Sequence, residues 1–328
     1  MPTQKILITG GAGFIGSHLA DALLDAGSHV TVVDDLSTGK WANIDRLKDR
    51  PNFRAIIASC EERPLMEAEI AQHDLVYHLA SAVGVKLIIE KPVETVETIF
   101  HGTDVVLKAA SKFRRPVLLT STSEVYGKSE AIPFKEDADV VMGPTSKRRW
   151  AYACAKALDE FLALAHYYQT NLPVYIVRLF NTVGPRQMGQ YGMVLPNFVR
   201  AALDERPIHV FGDGTQRRCF CSVFDVVDAL VKLPKTPAAV GKVVNVGSQE
   251  EVTIRELAEK VRTLCRSKSE IVHLSYETAY GPGFDDMRRR VPDLTRVKEL
   301  TGWTPKHNLD AIITQVAEHL RSEPTREV

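Results

Sequence analysis

The sequence predicts an α/β protein, a doubly wound parallel sheet joined to a smaller C-terminal α/β region. Three observations predict it. Apolar runs alternate with helical patterns through the first half. A glycine-rich loop connects the first run to the first helix. Beyond residue 180 the helices shorten, and Gly and Pro punctuate the chain more often.

The apolar runs are KILIT (5–9), HVTVVD (29–34), DLVYHLA (74–80) and PVLLTS (116–121). Val, Ile and Leu follow one another in them without polar alternation, as strands covered on both faces require. Between them, FIGSHLADALLDAG (14–27) and PVETVETIFHGTDVVLKAASKF (92–113) read as helices, and Gly27 marks the stop of the first. A long helix is expected over 148–169, then a strand PVYIVRLF (173–180). After NTVGPRQ come the shorter helical patterns LPNFVRAAL, TIRELAEKVRTLC and LDAIITQVAEHL, with KVVNVG (242–247) expected to return to the main sheet. The tail RSEPTREV (321–328) reads as loosely held.

Composition narrows the function. The 328 residues are 45% apolar and 25% charged, an ordinary globular balance. Lys plus Arg and Asp plus Glu are both 41, which argues against nucleic acid or a membrane surface as a partner held by bulk charge. Cys60, Cys154, Cys219, Cys221 and Cys265 show no C-x-x-C pair, so neither a metal site nor a disulfide framework is expected. The chain enters KILITG without a charged-then-apolar leader, and no apolar run reaches membrane-spanning length. A reducing cytoplasm is the expected compartment.

ITGGAGFIGSHL (8–19) follows a strand and opens a helix. Gly11, Gly13 and Gly16 satisfy G-x-G-x-x-G, and Gly10, Gly13 and Gly16 satisfy G-x-x-G-x-x-G. Such glycines permit a tight turn, close approach of backbone to a pyrophosphate, and close packing of helix on strand. The helix start, with Phe14 and Ile15, then presents free N–H groups to the phosphates. Asp34 ends the second strand, where a carboxylate accepts from the adenosine ribose hydroxyls and repels a 2′-phosphate. The expected cofactor is therefore NAD rather than NADP, on a Rossmann-type sheet. Asp35 points the other way by strand alternation.

Two further stretches are ambiguous alone. TSTSEVYG (120–127) follows an apolar strand and, by itself, reads as a polar turn. AYACAK sets Tyr152 and Lys156 four apart on one helix face, a spacing common by chance. Beside a dinucleotide the pair acquires chemical sense. A tyrosine used as a base near neutral pH must fall roughly 3 pKa units, about 4 kcal/mol. One nearby ammonium supplies ~1–3 units, and the positive nicotinamide would supply the rest.

TGGAGFIGSHL, DDLSTG, YHLAS, TSTSEVYG, YACAK, RLFNTVGPRQ, VFGDGTQRRCF and DDMRRRVPD stand in one order along the chain. Together they resemble the extended short-chain dehydrogenase/reductase superfamily, in its NAD-dependent nucleotide-sugar epimerase, dehydratase and decarboxylase branch. The resemblance implies an enzyme that oxidises C4 of a nucleotide sugar, with Tyr152 and Lys156 catalytic and Thr122 on the sugar 4-hydroxyl. It implies that Leu79, Ala80 and Ser81 lie against NAD, that Asn181 and Arg218 hold the substrate diphosphate, and that the molecule is a homodimer. Lys86 lies where substrate could pass and equally reads as a surface lysine. The sequence ASCEE (58–62) departs from the Gly-Asp with which many relatives contact adenine.

Thr122-Ser123-Glu124 is most similar to UDP-glucuronate decarboxylases (UDP-xylose synthases). Dehydratases usually carry Asp where Ser123 stands, and simple epimerases commonly lack the glutamate. Glu124 is implied as a further acid/base group and Arg290 as the decarboxylation arginine, although three consecutive arginines (288–290) also read as a solvated face. The expected activity is decarboxylation of UDP-glucuronate. The alternatives are a 4-epimerase, a 4,6-dehydratase and a non-catalytic NAD-binding regulator. The expected division is an NAD-binding unit over 1–180 and a substrate-binding region over 181–328.

Overall fold

The computed structural model describes residues 3–81, 91–189, 193–275 and 289–322, except for the Arg149 side chain. In chain order its strands are β1 (Lys5–Thr9), β2 (His29–Asp34), β3 (Phe53–Ile57), β4 (Leu75–His78), β5 (Val117–Thr122), β6 (Val174–Leu179), β7 (Thr182–Val183), β8 (Ile208–Phe211), β9 (Arg217–Cys219), β10 (Cys221–Ser222), β11 (Lys242–Val246), β12 (Glu251–Thr253) and β13 (Ile271–Leu274). The helices are α1 (Phe14–Asp25), α2 (Arg63–Gln72), α3 (Pro92–Phe113), α4 (Arg149–Thr170), α5 (Val194–Leu203), α6 (Val223–Lys232), α7 (Ile254–Cys265), α8 (Thr295–Thr301) and α9 (Leu309–Ser322).

Seven strands form one sheet in the order β11-β6-β5-β4-β1-β2-β3. Every pairing in it is parallel. Strand polarity alternation explains why these strands are apolar throughout. In β1, Ile6 and Ile8 enter one core with Leu19 and Leu23 of α1 and Leu230 of α6. Leu7, between them, faces the opposite core with Met66 and Ile70 of α2 and Val106 of α3. All three β1 residues are buried, so truncating any to alanine would cost about 2–5 kcal/mol. The strand over 242–246 pairs with β6 at the sheet edge, Val244 opposite Val177.

Strand order reverses between β1 and β4, which opens a crevice at the carboxyl ends of the strands. A separate apolar cluster packs α5, α7 and α9 around β8, with Phe198, Val210, Leu257 and Ile312 inside. It stands over that crevice and supplies its far wall. Helix α7 starts on a reciprocal cap: Thr253 accepts from the Glu256 N–H, and the Glu256 carboxylate accepts from Thr253. Helix α1 ends where Gly27 takes φ +86°, a conformation a side chain would resist.

Two further helices are absent from the sequence expectation. In α2 the apolar face is short, with Met66 and Ile70 buried. In α6 the signal is present in the sequence, an amphipathic VFDVVDALVK whose first turn is capped by Ser222 accepting from the Phe224 N–H. The first two tail residues, Arg321 and Ser322, are helical; 323–328 lie outside the described residues.

Candidate active site

The ends of β1, β2, β4, β5 and β6 open into one cleft of about 1050 Å³. At one end lies the glycine loop. Gly10 takes φ +72°, and a Cβ there would come within 2.7 Å of the Ala80 nitrogen. A Cβ on Gly16 would stand 2.2 Å from the Gly10 carbonyl oxygen, so the loop and α1 can close together only without side chains. Gly13 caps α1 without any side-chain bond, which leaves the first N–H groups of the helix for an anion. Asp34 accepts from the Ala12 and Leu36 backbone nitrogens, both at 2.9 Å, and so ties its strand end to the loop. Burial pushes its pKa up while these donors oppose the shift.

Gly10, Gly13, Phe14, Ile15, Gly16 and Asp34 line this end, and Leu79, Ala80 and Ser81, which follow β4, face them. Among the described residues the buried Ser81 hydroxyl has no hydrogen-bond partner. An uncapped helix start, a backbone-only cradle and an unsatisfied hydroxyl fit a dinucleotide. Ala58 to Glu61, from the ASCEE stretch, line the same end.

The middle of the cleft is built by β5 and α4. Thr122 ends β5 in extended conformation and accepts from the Glu124 N–H at 3.2 Å, which turns the chain into a short 3-10 segment. That turn holds Ser123 and Glu124 in the cleft lining, Ser123 almost fully buried. Tyr152 and Lys156 reach the cleft from the first turns of α4. Thr122 is hydrogen-bonded to Tyr152. Burial first, and the Glu124 carboxylate next, push the phenol well above its usual range, with the Thr122 bond acting the other way.

Lys156, expected to ease tyrosine ionisation, donates from its ammonium to Asp159 Oδ2 at 3.0 Å, with both side chains buried. A buried ammonium requires a counter-charge, and a carboxylate three residues on is the nearest a helix can offer. Sequence reading passed over Asp159; its place one turn past Lys156 on the same face was the available signal.

Arg290 reaches the cleft beside this group and is ion-paired with Glu124, the side chains 10% and 16% exposed. Arg289 turns outward to Glu251, its Nε 2.9 Å from Oε1. Of the three arginines, Arg288 lies outside the described residues, as does Lys86. At the far end Arg218 is buried in the lining and donates to the Arg217 carbonyl, while Arg217 is exposed. Asn181 also lines the cleft, its amide donating to the Cys219 carbonyl at 2.9 Å.

Comparison with known proteins gives the geometry its kin. The GDP-mannose 4,6 dehydratase family profile matches residues 7–316. The chain is 44% identical over 303 residues to the UDP-N-acetyl-alpha-D-glucosaminuronate decarboxylase of Bacillus cytotoxicus, covering 92% of this chain and 93% of that one. It is 35% identical over 320 residues to UDP-glucuronic acid decarboxylase 1 of Danio rerio, covering 98% and 73%. It superimposes with TM-score 0.87 on the UDP-glucuronic acid 4-epimerase of Bacillus cereus, solved with UDP-glucuronic acid and NAD, at 26% identity over 97% and 99% of the two chains.

Proposed function

The chain belongs to the GDP-mannose 4,6 dehydratase family within the extended short-chain dehydrogenases/reductases, and from that premise we propose that it is an NAD-dependent UDP-uronate decarboxylase. The observation that carries the proposal is the Glu124–Arg290 ion pair, set in the same cleft as Tyr152 and Thr122. A cation that can take a substrate carboxylate and a carboxyl group that can move a proton are what this reaction needs beyond oxidation.

NAD, which Gly10, Gly13, Gly16, Asp34 and Ser81 would hold, would supply the hydride acceptor for C4 and the hydride donor at the end. The chain's own residues do the rest. Tyr152 takes the proton of the sugar 4-hydroxyl, oriented by its bond to Thr122, and Lys156 stabilises the phenolate. A base so placed contributes roughly 10²–10⁴-fold. With a ketone at C4 the uronate is a β-keto acid, so its C5–C6 bond breaks to release carbon dioxide and leaves an enolate. Arg290 holds the carboxylate beforehand, and Glu124, released from Arg290 and protonated from solvent, delivers to C5 the one proton the net reaction consumes, with Ser123 beside it. Tyr152 then returns its proton to the C4 oxygen. Asn181 and Arg218 hold the diphosphate, the guanidinium being suited to bidentate phosphate contacts.

Both decarboxylases compared above act, by name, on UDP-linked uronates, one of them the 2-acetamido sugar. UDP-glucuronate and its 2-acetamido counterpart are therefore the two substrates to try. Purified protein with catalytic NAD is incubated with each and the product weighed by mass spectrometry. Loss of one carbon dioxide is expected from at least one of them. An unchanged mass from both, with the substrate consumed or inverted, would transfer the assignment to 4-epimerisation, the reaction of the structurally similar Bacillus cereus enzyme. No NADH absorbance with any nucleotide sugar would leave the non-catalytic NAD-binding reading.

We also propose a division of labour between residues 1–180 with the strand near 242–247, which bind NAD, and 181–328, which bind mainly the sugar nucleotide. The molecule is a homodimer in this reading. On the outer faces of α3 and α4, Val93, Phe161 and Tyr168 are 68%, 66% and 73% exposed, an apolar surface suited to a second copy. Among the described residues the cysteines are all free, and no helix is long and apolar enough to cross a membrane. The cytoplasm is the compartment proposed.

A further inference from the structure

Residues 152, 156 and 159 follow one another on one face of α4, at the spacing that stacks side chains along a helix. Tyr152 and Lys156 face the cleft, and Asp159 lies beneath them, fully buried. Its Oδ2 receives the Lys156 ammonium at 3.0 Å. Thr103 of α3 adjoins Asp159 and also meets His78 Nε2 at 3.2 Å. His78 Nδ1 in turn meets the Thr9 hydroxyl at 2.7 Å, one residue before the glycine loop. A file of polar side chains thus runs beneath the cleft, from the Tyr–Lys pair to the start of the cofactor cradle. A carboxylate held so deep is costly unless its charge is used, and Lys156 is the cation in contact with it.

We propose that Asp159 is a positioning residue, a buried counter-ion that fixes the Lys156 ammonium and thereby sets the electrostatic field at Tyr152. The inference rests on the reading of Tyr152 as the base. Other charged or titratable groups around it come from four further elements. Glu124 faces Tyr152 from the turn after β5 and is paired with Arg290 from the C-terminal segment. His78 faces Lys156 from β4, and Glu160 beside Asp159 pairs with Arg178 of β6. Asp159 adds to the upward push on the Tyr152 phenol, which burial and Glu124 dominate. The sign follows: a negative charge near a phenolate opposes its formation, and holding the ammonium on a carboxylate cancels the cation that would favour it.

The test is the ionisation of Tyr152 in the NAD-loaded protein, read by ultraviolet difference titration of tyrosinate. Subtracting the Tyr152→Phe protein isolates the one residue. Asp159→Asn should move the Tyr152 midpoint to lower pH by roughly one unit, and Asp159→Glu, which keeps the charge, should hold it near the parent value. Asp159→Ser leaves room for a water on the ammonium and gives the same shift where the amide variant does not fold. A midpoint unmoved in every folded charge-removing variant would reduce Asp159 to a packing role and overturn the proposal. The titration contains no sugar, so failure to decarboxylate a UDP-uronate would count against the reaction assignment and not against Asp159.

Discussion

Glu124 and Arg290, far apart in the chain, are ion-paired inside the cleft that also holds Tyr152. Each therefore neutralises the other until a ligand intervenes. A substrate carboxylate competes with Glu124 for the guanidinium, and in doing so releases the carboxyl group that the reaction needs as an acid. In the proposed enzyme Glu124→Gln stops net turnover by at least ~10²-fold yet keeps the first oxidation. Adding substrate should then produce a persistent NADH absorbance. Turnover close to that of the parent would remove Glu124 from the mechanism.

The same pair makes a stability prediction. Removing one partner strands the other in a largely dry site, which for fully buried pairs costs about 3–5 kcal/mol. Discounted for the residual exposure, Arg290→Met should lose about 2 kcal/mol in urea unfolding, and Glu124→Gln/Arg290→Met should recover much of it. A double variant no more stable than the single one would mean that the pair does not couple.

Tyr152→Phe removes the hydroxyl that meets Thr122 while keeping the ring. Neither product nor the transient NADH signal should form, with a loss of roughly 10²–10⁴-fold in the first half-reaction. This separates Tyr152 from Glu124, whose loss is expected to spare that step. Equal NADH bursts in the two variants would be incompatible with a tyrosine base.

Gly16→Ala places a carbon 2.2 Å from the Gly10 carbonyl oxygen, a backbone atom that cannot give way without moving the loop. NAD affinity, measured by calorimetric titration, should fall at least ~10-fold, because the pyrophosphate cradle and the helix start separate. An unchanged affinity would put the dinucleotide elsewhere.

His78 is fully buried between Thr9 and Thr103, and desolvation first, Lys156 second, bring its pKa down from 6.5 to about 3. The unfolded chain binds a proton there that the folded protein refuses. Stability is therefore whole above about pH 6.5 and declines as pH falls towards about 3, by about 1.4 kcal/mol per pH unit for this residue. His18, brought down to about 4 by burial and Arg186, adds to the same slope. His78→Gln should flatten unfolding free energy against pH between roughly 6 and 4, and parallel slopes would exclude His78 as a source.

Much of this protein is written locally. Strand alternation of period two makes β1 apolar on both faces, and the glycine spacing follows from contacts made within one turn and the next strand. The four-residue step from Tyr152 to Lys156 places both at the cleft because a helix brings such residues together. Those features depend on neighbours in the chain, so the sequence alone determined the fold class, the cofactor cradle and the family resemblance. Tertiary structure decided what depends on distant segments. It turned Arg290 inward to Glu124 while Arg289 went out to Glu251, and buried Arg218 where Arg217 stayed exposed. None of these choices has a local period. Each follows from which charge lies nearest once the sheet has stacked its strands, since a charge removed from water must be matched where it comes to rest.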